Sequence, residues 1–190
     1  MKTVAFVIPG YHHSPDRKIY TDIIDSFEAK NITTFPVKIS WQYHTMLFWV
    51  DEFLKVYEAN KGDRNILLGF SYGAMISFIA STKIDVDAQI LCSLSPYFAE
   101  DLESLPHRWK KGKRRIAEFE KIFAEDLTPQ ITADTFILYG TKEGEQIKKR
   151  AKETYHLLHS EKHLIPIAES KHDIGNPNYL NAIRKVIVQL

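Results

Sequence analysis

The chain has 190 residues, 44% of them hydrophobic and 12% aromatic, which is enough to bury one substantial core and falls within single-domain size. Lysine plus arginine number 25 against 24 aspartates and glutamates, a formal charge of +1, so no global basic field draws in nucleic acid or an anionic membrane. The single cysteine, Cys92, lies in the apolar run AQILCSL and has no partner for an internal disulfide; a small core residue in a reducing, cytoplasmic setting is the expectation.

The opening MKTVAFVIPG lacks the length and small-residue cleavage pattern of a signal peptide, and its short apolar run before Pro-Gly reads as a buried strand over 3–8. A helix over 15–30 follows, with Ile19, Ile23, Ile24 and Phe27 on one face and Ser14-Pro15-Asp16 as its start signal. The stretch 33–38 (TTFPVK) is a short strand whose Pro36 suits a sheet edge. A helix over 45–60 presents Leu47, Val50, Phe53, Leu54 and Tyr57.

Strand 65–70 (NILLGF) runs straight into helix 72–82, and strand 88–94 (AQILCSL) follows; both strands are continuously apolar, as burial on two faces requires. The segment from about 96 to 134 carries a charged helix. Strand 135–139, helix 145–158, strand 163–167 and helix 177–189 complete the pattern. No window approaches the roughly 20 apolar residues of a membrane span, and no repeat or linker divides the chain, so a single domain over 1–190 is expected.

Six strands alternating with helices predict an α/β architecture, a doubly wound, mostly parallel six-stranded sheet with helices on both faces. In such sheets functional groups gather at the carboxyl ends of the strands. Ser71, in LLGFSYGAM, stands there, between a strand and a helix and flanked at two residues by Gly69 and Gly73. This is the setting of a strained, activated serine, with the Tyr72 amide at the helix N-terminus facing a developing oxyanion.

A serine hydroxyl needs a base, and His172 follows directly after the final strand-like run. His163 opens that strand and belongs at the opposite end, while His12 and His13 follow the first strand. The base needs an acid to hold its tautomer, and the turn after strand 135–139 offers Glu143 and, as an alternative, Glu145. The order Ser, acid, His is that of the α/β hydrolases rather than of the chymotrypsin or subtilisin types.

On these residues and this element order the sequence resembles a small, single-domain member of the α/β-hydrolase superfamily, trimmed so that it begins at what would be the third strand. Gly140-Thr141-Lys142-Glu143 matches the Gly-x-x-Asp spacing of the family's acid with Glu substituted. The resemblance implies a second oxyanion donor in the loop Pro9–Ser14, the Tyr11 amide, although Pro9 replaces the family's histidine there. It also implies a small lid around 97–128, where Tyr97, Phe98, Leu102, Leu105 and Trp109 would cover the nucleophile; the alternative is an amphipathic helix with Ile116, Phe119, Ile122 and Phe123 inward. His12 and His13 would line the substrate cleft, since adjacent histidines alone make a poor metal site.

The basic run Lys110-Lys111-Gly112-Lys113-Arg114-Arg115 reads as a solvated face balanced by Glu118, Glu120 and Glu125, with anion recognition as the lesser alternative. The expected activity is a serine hydrolase acting on a small-molecule ester, thioester or amide through a covalent acyl-enzyme, with no metal and no other cofactor. An acyltransferase or lyase on the same scaffold, or a binding protein that kept the fold, are the competing readings.

Overall fold

The computed structural model of the protein describes residues 2–190. Six parallel strands form one sheet in the order β2-β1-β3-β4-β5-β6, with β1 at Thr3–Ile8, β2 at Thr33–Pro36, β3 at Arg64–Phe70, β4 at Ala88–Cys92, β5 at Asp134–Gly140 and β6 at Lys162–Ile167. The helices are α1 (Lys18–Glu28), α2 (Met46–Asn60), α3 (Tyr72–Ala80), α4 (Lys113–Phe119), α5 (Ala124–Leu127), α6 (Glu145–Leu157) and α7 (Pro177–Gln189).

The period-two alternation of strand side chains splits the core in two. Val4, Phe6 and Ile8 of β1, with Leu67, Leu91 and Ile137 of the central strands, pack against α2 and α3 through Trp49, Phe53, Met75 and Phe78. Ala5 and Val7, with Ile66, Leu68, Ile90 and Leu138, face the other way and meet Tyr20, Ile23 and Phe27 of α1 and Tyr179, Ile183 and Ile187 of α7. Burial on both faces is why the central strands carry no alternating polar residues.

From β1 the chain passes through α1 to β2, then crosses by α2 to β3 on the other flank of β1. That reversal places the topological switch point between β1 and β3, and their carboxyl ends lie side by side, with Ile8 paired to Gly69. Pro36 sits on edge strand β2, opposite Val7, where its missing N–H costs no interior ladder bond.

Three expectations are corrected. Helix α1 begins at Lys18, not near Pro15: the Ser14 hydroxyl bonds the Asp16 carboxylate at 2.9 Å, so Ser14-Pro15-Asp16 closes a turn of its own. On α2 it is Met46, Trp49, Val50, Phe53 and Tyr57 that are buried, while Leu47 is exposed. Strand β4 ends at Cys92 because Ser93 takes a positive φ of 51°, which breaks the extended ladder.

The long segment after β4 folds as 3-10 turns at Ala99–Ser104 and His107–Trp109, then α4 and α5. Phe98, Leu102, Leu105, Phe119 and Ile122 are all buried in the core. An ion cluster ties the segment to α6: the fully buried Arg150 takes both oxygens of Asp101 at 2.8 and 2.7 Å, lies 3.3 Å from Glu100 and Glu153, and stands 5.0 Å over the Phe98 ring. Burial pushes the Asp101 carboxyl upward in pKa and the adjacent guanidinium pulls it back.

Removing one partner of such a pair strands the other charge. Arg150→Met should therefore lower the unfolding free energy by about 3–5 kcal/mol, measured by urea denaturation. The Asp101→Leu/Arg150→Met double variant should recover most of that loss; a double variant no more stable than the single would refute this account of the cluster.

Candidate active site

Ser71 leaves β3 with φ 56° and ψ −115°, a region that L residues avoid and that costs about 1–3 kcal/mol. The crowding around it explains the two glycines: a Cβ on Gly69 would strike the Gly73 carbonyl, and one on Gly73 would strike the Ile8 and Pro9 carbonyls. The Ser71 amide donates to Cys92 O at 2.8 Å, which anchors the turn to β4 while α3 starts at the next residue.

Two further loops converge on the hydroxyl. The turn after β5 and the loop after β6 are joined by Lys142 N–H to Ser170 O at 2.9 Å and by Glu169 N–H to Thr141 Oγ1 at 3.1 Å. Gly140 permits the approach, because a Cβ there would meet the Ser170 carbonyl. His172 is thereby set with Nε2 3.0 Å from Ser71 Oγ and Nδ1 3.0 Å from Glu143 Oε1; its ring lies 5.0 Å from that of Phe70. With Nδ1–H donating to the carboxylate, the Nε2 lone pair is left to accept the Ser71 proton, the tautomer assigned from the network.

The Glu143 side chain is fully buried while that of His172 is 39% exposed. A buried carboxylate must be satisfied, and Glu143 is: Oε1 also accepts Ser93 Oγ–H at 2.6 Å, and Oε2 accepts Gly140 N–H at 3.3 Å. Behind Ser93 stands Tyr179 of α7, 2.8 Å away and pushed well above the ordinary phenol pKa by burial, so it stays a neutral hydroxyl. The strained φ of Ser93 aims its side chain at the acid.

Glu145, the alternative acid, opens α6 at the surface, 85% exposed and paired with Lys148 at 2.6 Å; that hydrogen bond holds its carboxyl below the usual pKa. His172 bonds Glu143 and not Glu145. His12 is exposed against Tyr11, whereas His13 turns the other way: Tyr20 Oη accepts Gly10 N–H at 2.9 Å and gives its proton to His13 Nδ1 at 2.8 Å. Burial and then the neighbouring Arg17 charge lower the His13 pKa, consistent with a neutral ring accepting there. The two histidines thus diverge and share no ligand position.

Ser71 opens onto a cavity of about 490 Å³ lined by Tyr11, Tyr72, Ser95, Tyr97 and Trp109 among others, with His172 at its edge. A smaller polar hollow of about 390 Å³, lined by His13, Arg17 and Asp173, reaches Ser71 and His172 from the other side. Phe98, expected in the cleft, is absent from both: its ring lies 5.4 Å from Phe78 in the core and under Arg150. The Tyr72 amide is at the first position of α3, where the helix supplies no acceptor. The turn after β1 closes through His13 N–H to Gly10 O at 2.8 Å and leaves the Tyr11 amide out of that bond.

Sequence reasoning missed Ser93, Ser95 and Tyr179. Ser95 Oγ lies 3.2 Å from Ser71 Oγ, and Ser93 and Ser95 both sit in the run Ser93-Leu94-Ser95 just past the carboxyl end of β4. Two serines in alternation directly after the apolar run Ile90-Leu91-Cys92 are the signal in the sequence.

No protein-family model matches the sequence, and no curated protein matches it. The fold is nonetheless shared with solved structures. Est1E from Butyrivibrio proteoclasticus matches with a TM-score of 0.85 at 14% identity, over 99% of this chain and 88% of that one. Alpha/beta hydrolase domain-containing protein 10 from mouse gives 0.85 at 14% identity, over 98% and 88%. MGS-MChE2, an alpha/beta hydrolase enzyme from lagoon-sediment metagenome at Mar Chica, Morocco, gives 0.78 at 16%, over 100% and 90%. The chain has the α/β-hydrolase fold. At such identities the likeness speaks for architecture, and chemistry must be argued from the site.

The two glutamates are separable by experiment. Glu143→Gln keeps the shape but can donate to Nδ1 and so favours the wrong tautomer, which should lower kcat on an ester by about 10⁴-fold. Glu145→Gln should change kcat less than about twofold, because only a surface pair is lost. Equal losses in the two variants would remove Glu143 from its assigned place.

Proposed function

We propose that the protein is a serine hydrolase that cleaves a carboxylic ester, or a thioester or amide, through a covalent acyl-enzyme. The observation that carries this reading is the continuous chain from Ser71 Oγ to His172 Nε2 and from His172 Nδ1 to Glu143, each link 3.0 Å, at a concave cavity whose lining includes Tyr11, Tyr72, Tyr97 and Trp109.

In the first step His172 Nε2 takes the Ser71 hydroxyl proton as Oγ bonds to the substrate carbonyl carbon. The carbonyl π electrons move onto oxygen, and the amides of Tyr72 and Tyr11 hold that oxyanion, the former aided by the α3 dipole. Glu143 stabilises the imidazolium without taking its proton. The oxyanion collapses, the bond to the leaving group breaks, and the imidazolium Nε2–H passes its proton to the departing oxygen, sulfur or nitrogen. Water then enters, loses a proton to His172 and attacks the acyl carbon; breakdown returns the proton to Ser71 and frees the acid.

Two features support this assignment beyond the contacts themselves. The strain at Ser71 keeps the hydroxyl exposed at the crest of the turn rather than folded back to cap α3, and no side-chain cap bond is made there. Ser95 can donate to Ser71 Oγ while Ser71 donates to His172, so both protons have acceptors. The esterase and hydrolase neighbours share the scaffold on which such sites are built.

A fluorophosphonate probe should label wild-type protein at Ser71, and Ser71→Ala should abolish labelling and lower p-nitrophenyl acetate turnover by at least roughly 10³-fold. Wild-type protein that neither labels nor turns over the ester would end the hydrolase reading.

A further inference from the structure

The cavity beside Ser71 has an unusual charge balance. Three cationic side chains, Arg108, Lys111 and Arg115, line it, and no carboxylate does. Two of the acids expected to balance this basic stretch face away from the cavity: Glu118 receives Thr45 Oγ1–H at 2.7 Å and Leu47 N–H at 3.0 Å, and Glu120 lines a separate surface groove with Lys110 and Phe123. Among the described residues no carboxylate lies within 4.0 Å of any of the three cations. Lys111, Lys113 and Arg114 of the basic run are solvent-exposed, as expected of a solvated face, but Lys111 and the half-buried Arg115 also line the cavity, where no carboxylate balances them.

Arg115 is also held in place. Its Nη1 donates to Tyr11 Oη at 2.7 Å and its guanidinium stands 5.2 Å over the Tyr11 ring. Gly112, at φ 85°, starts α4 and leaves room, since a Cβ there would come within 3.0 Å of Arg115 Nε. A guanidinium carries five N–H donors in a rigid fork; one is spent on Tyr11, and the rest are available to a ligand. Around it Tyr72, Tyr97 and Trp109 supply an apolar wall, against which the half-buried Arg115 attracts an anion more strongly than a cation at an open surface does, while Arg108 and Lys111 stand exposed beside it.

We propose that this cavity selects substrates carrying a carboxylate on the part of the molecule remote from the scissile bond, with Arg115 as the specificity-determining residue and Lys111 and Arg108 adding to the field at the same wall. The substrate class is an ester with an apolar or aromatic body ending in a carboxylate, which a guanidinium matches in a bidentate fashion. This rests on the hydrolase reading and adds the substrate charge to it.

The test compares anionic esters with neutral isosteres on wild-type protein. One arm puts the charge on the acyl side, p-nitrophenyl hydrogen suberate against p-nitrophenyl methyl suberate. The other puts it on the alcohol side, 4-acetoxybenzoate against its methyl ester, each rate corrected for spontaneous hydrolysis. In at least one arm the anionic-to-neutral ratio of kcat/KM should exceed about 10 at low ionic strength and fall as salt is added. Arg115→Gln should lower that ratio about 10-fold or more, and Arg115→Lys, which keeps the charge but loses the bidentate fork, should give a ratio between those of wild type and Arg115→Gln; the ratio cancels any loss common to both esters. Should a variant fail to fold, the wild-type ratio and its salt dependence decide. Ratios at or below one in both arms, or a ratio untouched by Arg115→Gln, would overturn the proposal. Ser71-dependent turnover of the neutral esters in that case leaves the hydrolase reading standing, whereas no turnover of any ester and no fluorophosphonate labelling would sink both.

Discussion

The crossing of the β3–α3 turn over the end of β1 is the constraint on which the rest of the molecule depends. Ser71 holds a positive φ only because Gly69 and Gly73 let two backbones approach to a distance that admits no Cβ on either. The strain is repaid by the apolar contacts that bury α3 along its whole length and by the bond from the Ser71 amide to β4. A serine in this position points away from its own helix, into the space above the sheet where the loops after β1, β5 and β6 meet. Geometry alone thus gives the hydroxyl neighbours that no local sequence feature provides.

The acid side of the site follows a different logic. Glu143 is buried, and a buried carboxylate needs hydrogen-bond donors to replace its lost hydration. It has three, from Ser93, Gly140 and His172, and the first of these depends on a second strained serine, at φ 51°. Both strained residues follow the carboxyl ends of adjacent strands, β3 and β4. In the reading proposed here one presents the nucleophile and the other supports the acid that orients the base. Tyr179, reaching Ser93 from α7, couples that support to the opposite face of the sheet.

Much of this was legible in the sequence, and the parts that were not have physical causes. The six strands and their parallel order were readable because fully buried strands leave continuous apolar runs, and the order Ser71, Glu143, His172 because each residue follows such a run. The choice between Glu143 and Glu145 was not, since two residues of spacing decide between a buried turn and an exposed helix start only through the contacts of Gly140 with Ser170. Phe98 looked like a cleft residue by its neighbours Tyr97 and Trp109, yet Arg150, some fifty positions away, draws it inward. Ser93 falls inside the apolar run that predicts a strand over 88–94, and only its positive φ takes it out of the ladder; Arg115 is legible in sequence only as one of a basic run, because charge balance there says nothing about which carboxylates share its side of the fold.

The central claim is that Ser71 becomes acylated during turnover, and mass spectrometry of rapidly quenched protein tests it most directly. Wild-type protein mixed with excess p-nitrophenyl acetate and quenched in acid should carry one acetyl group on the peptide containing Ser71, formed with a burst of nitrophenolate and lost as substrate is exhausted. Steady turnover with the acetyl group on another residue would contradict the account.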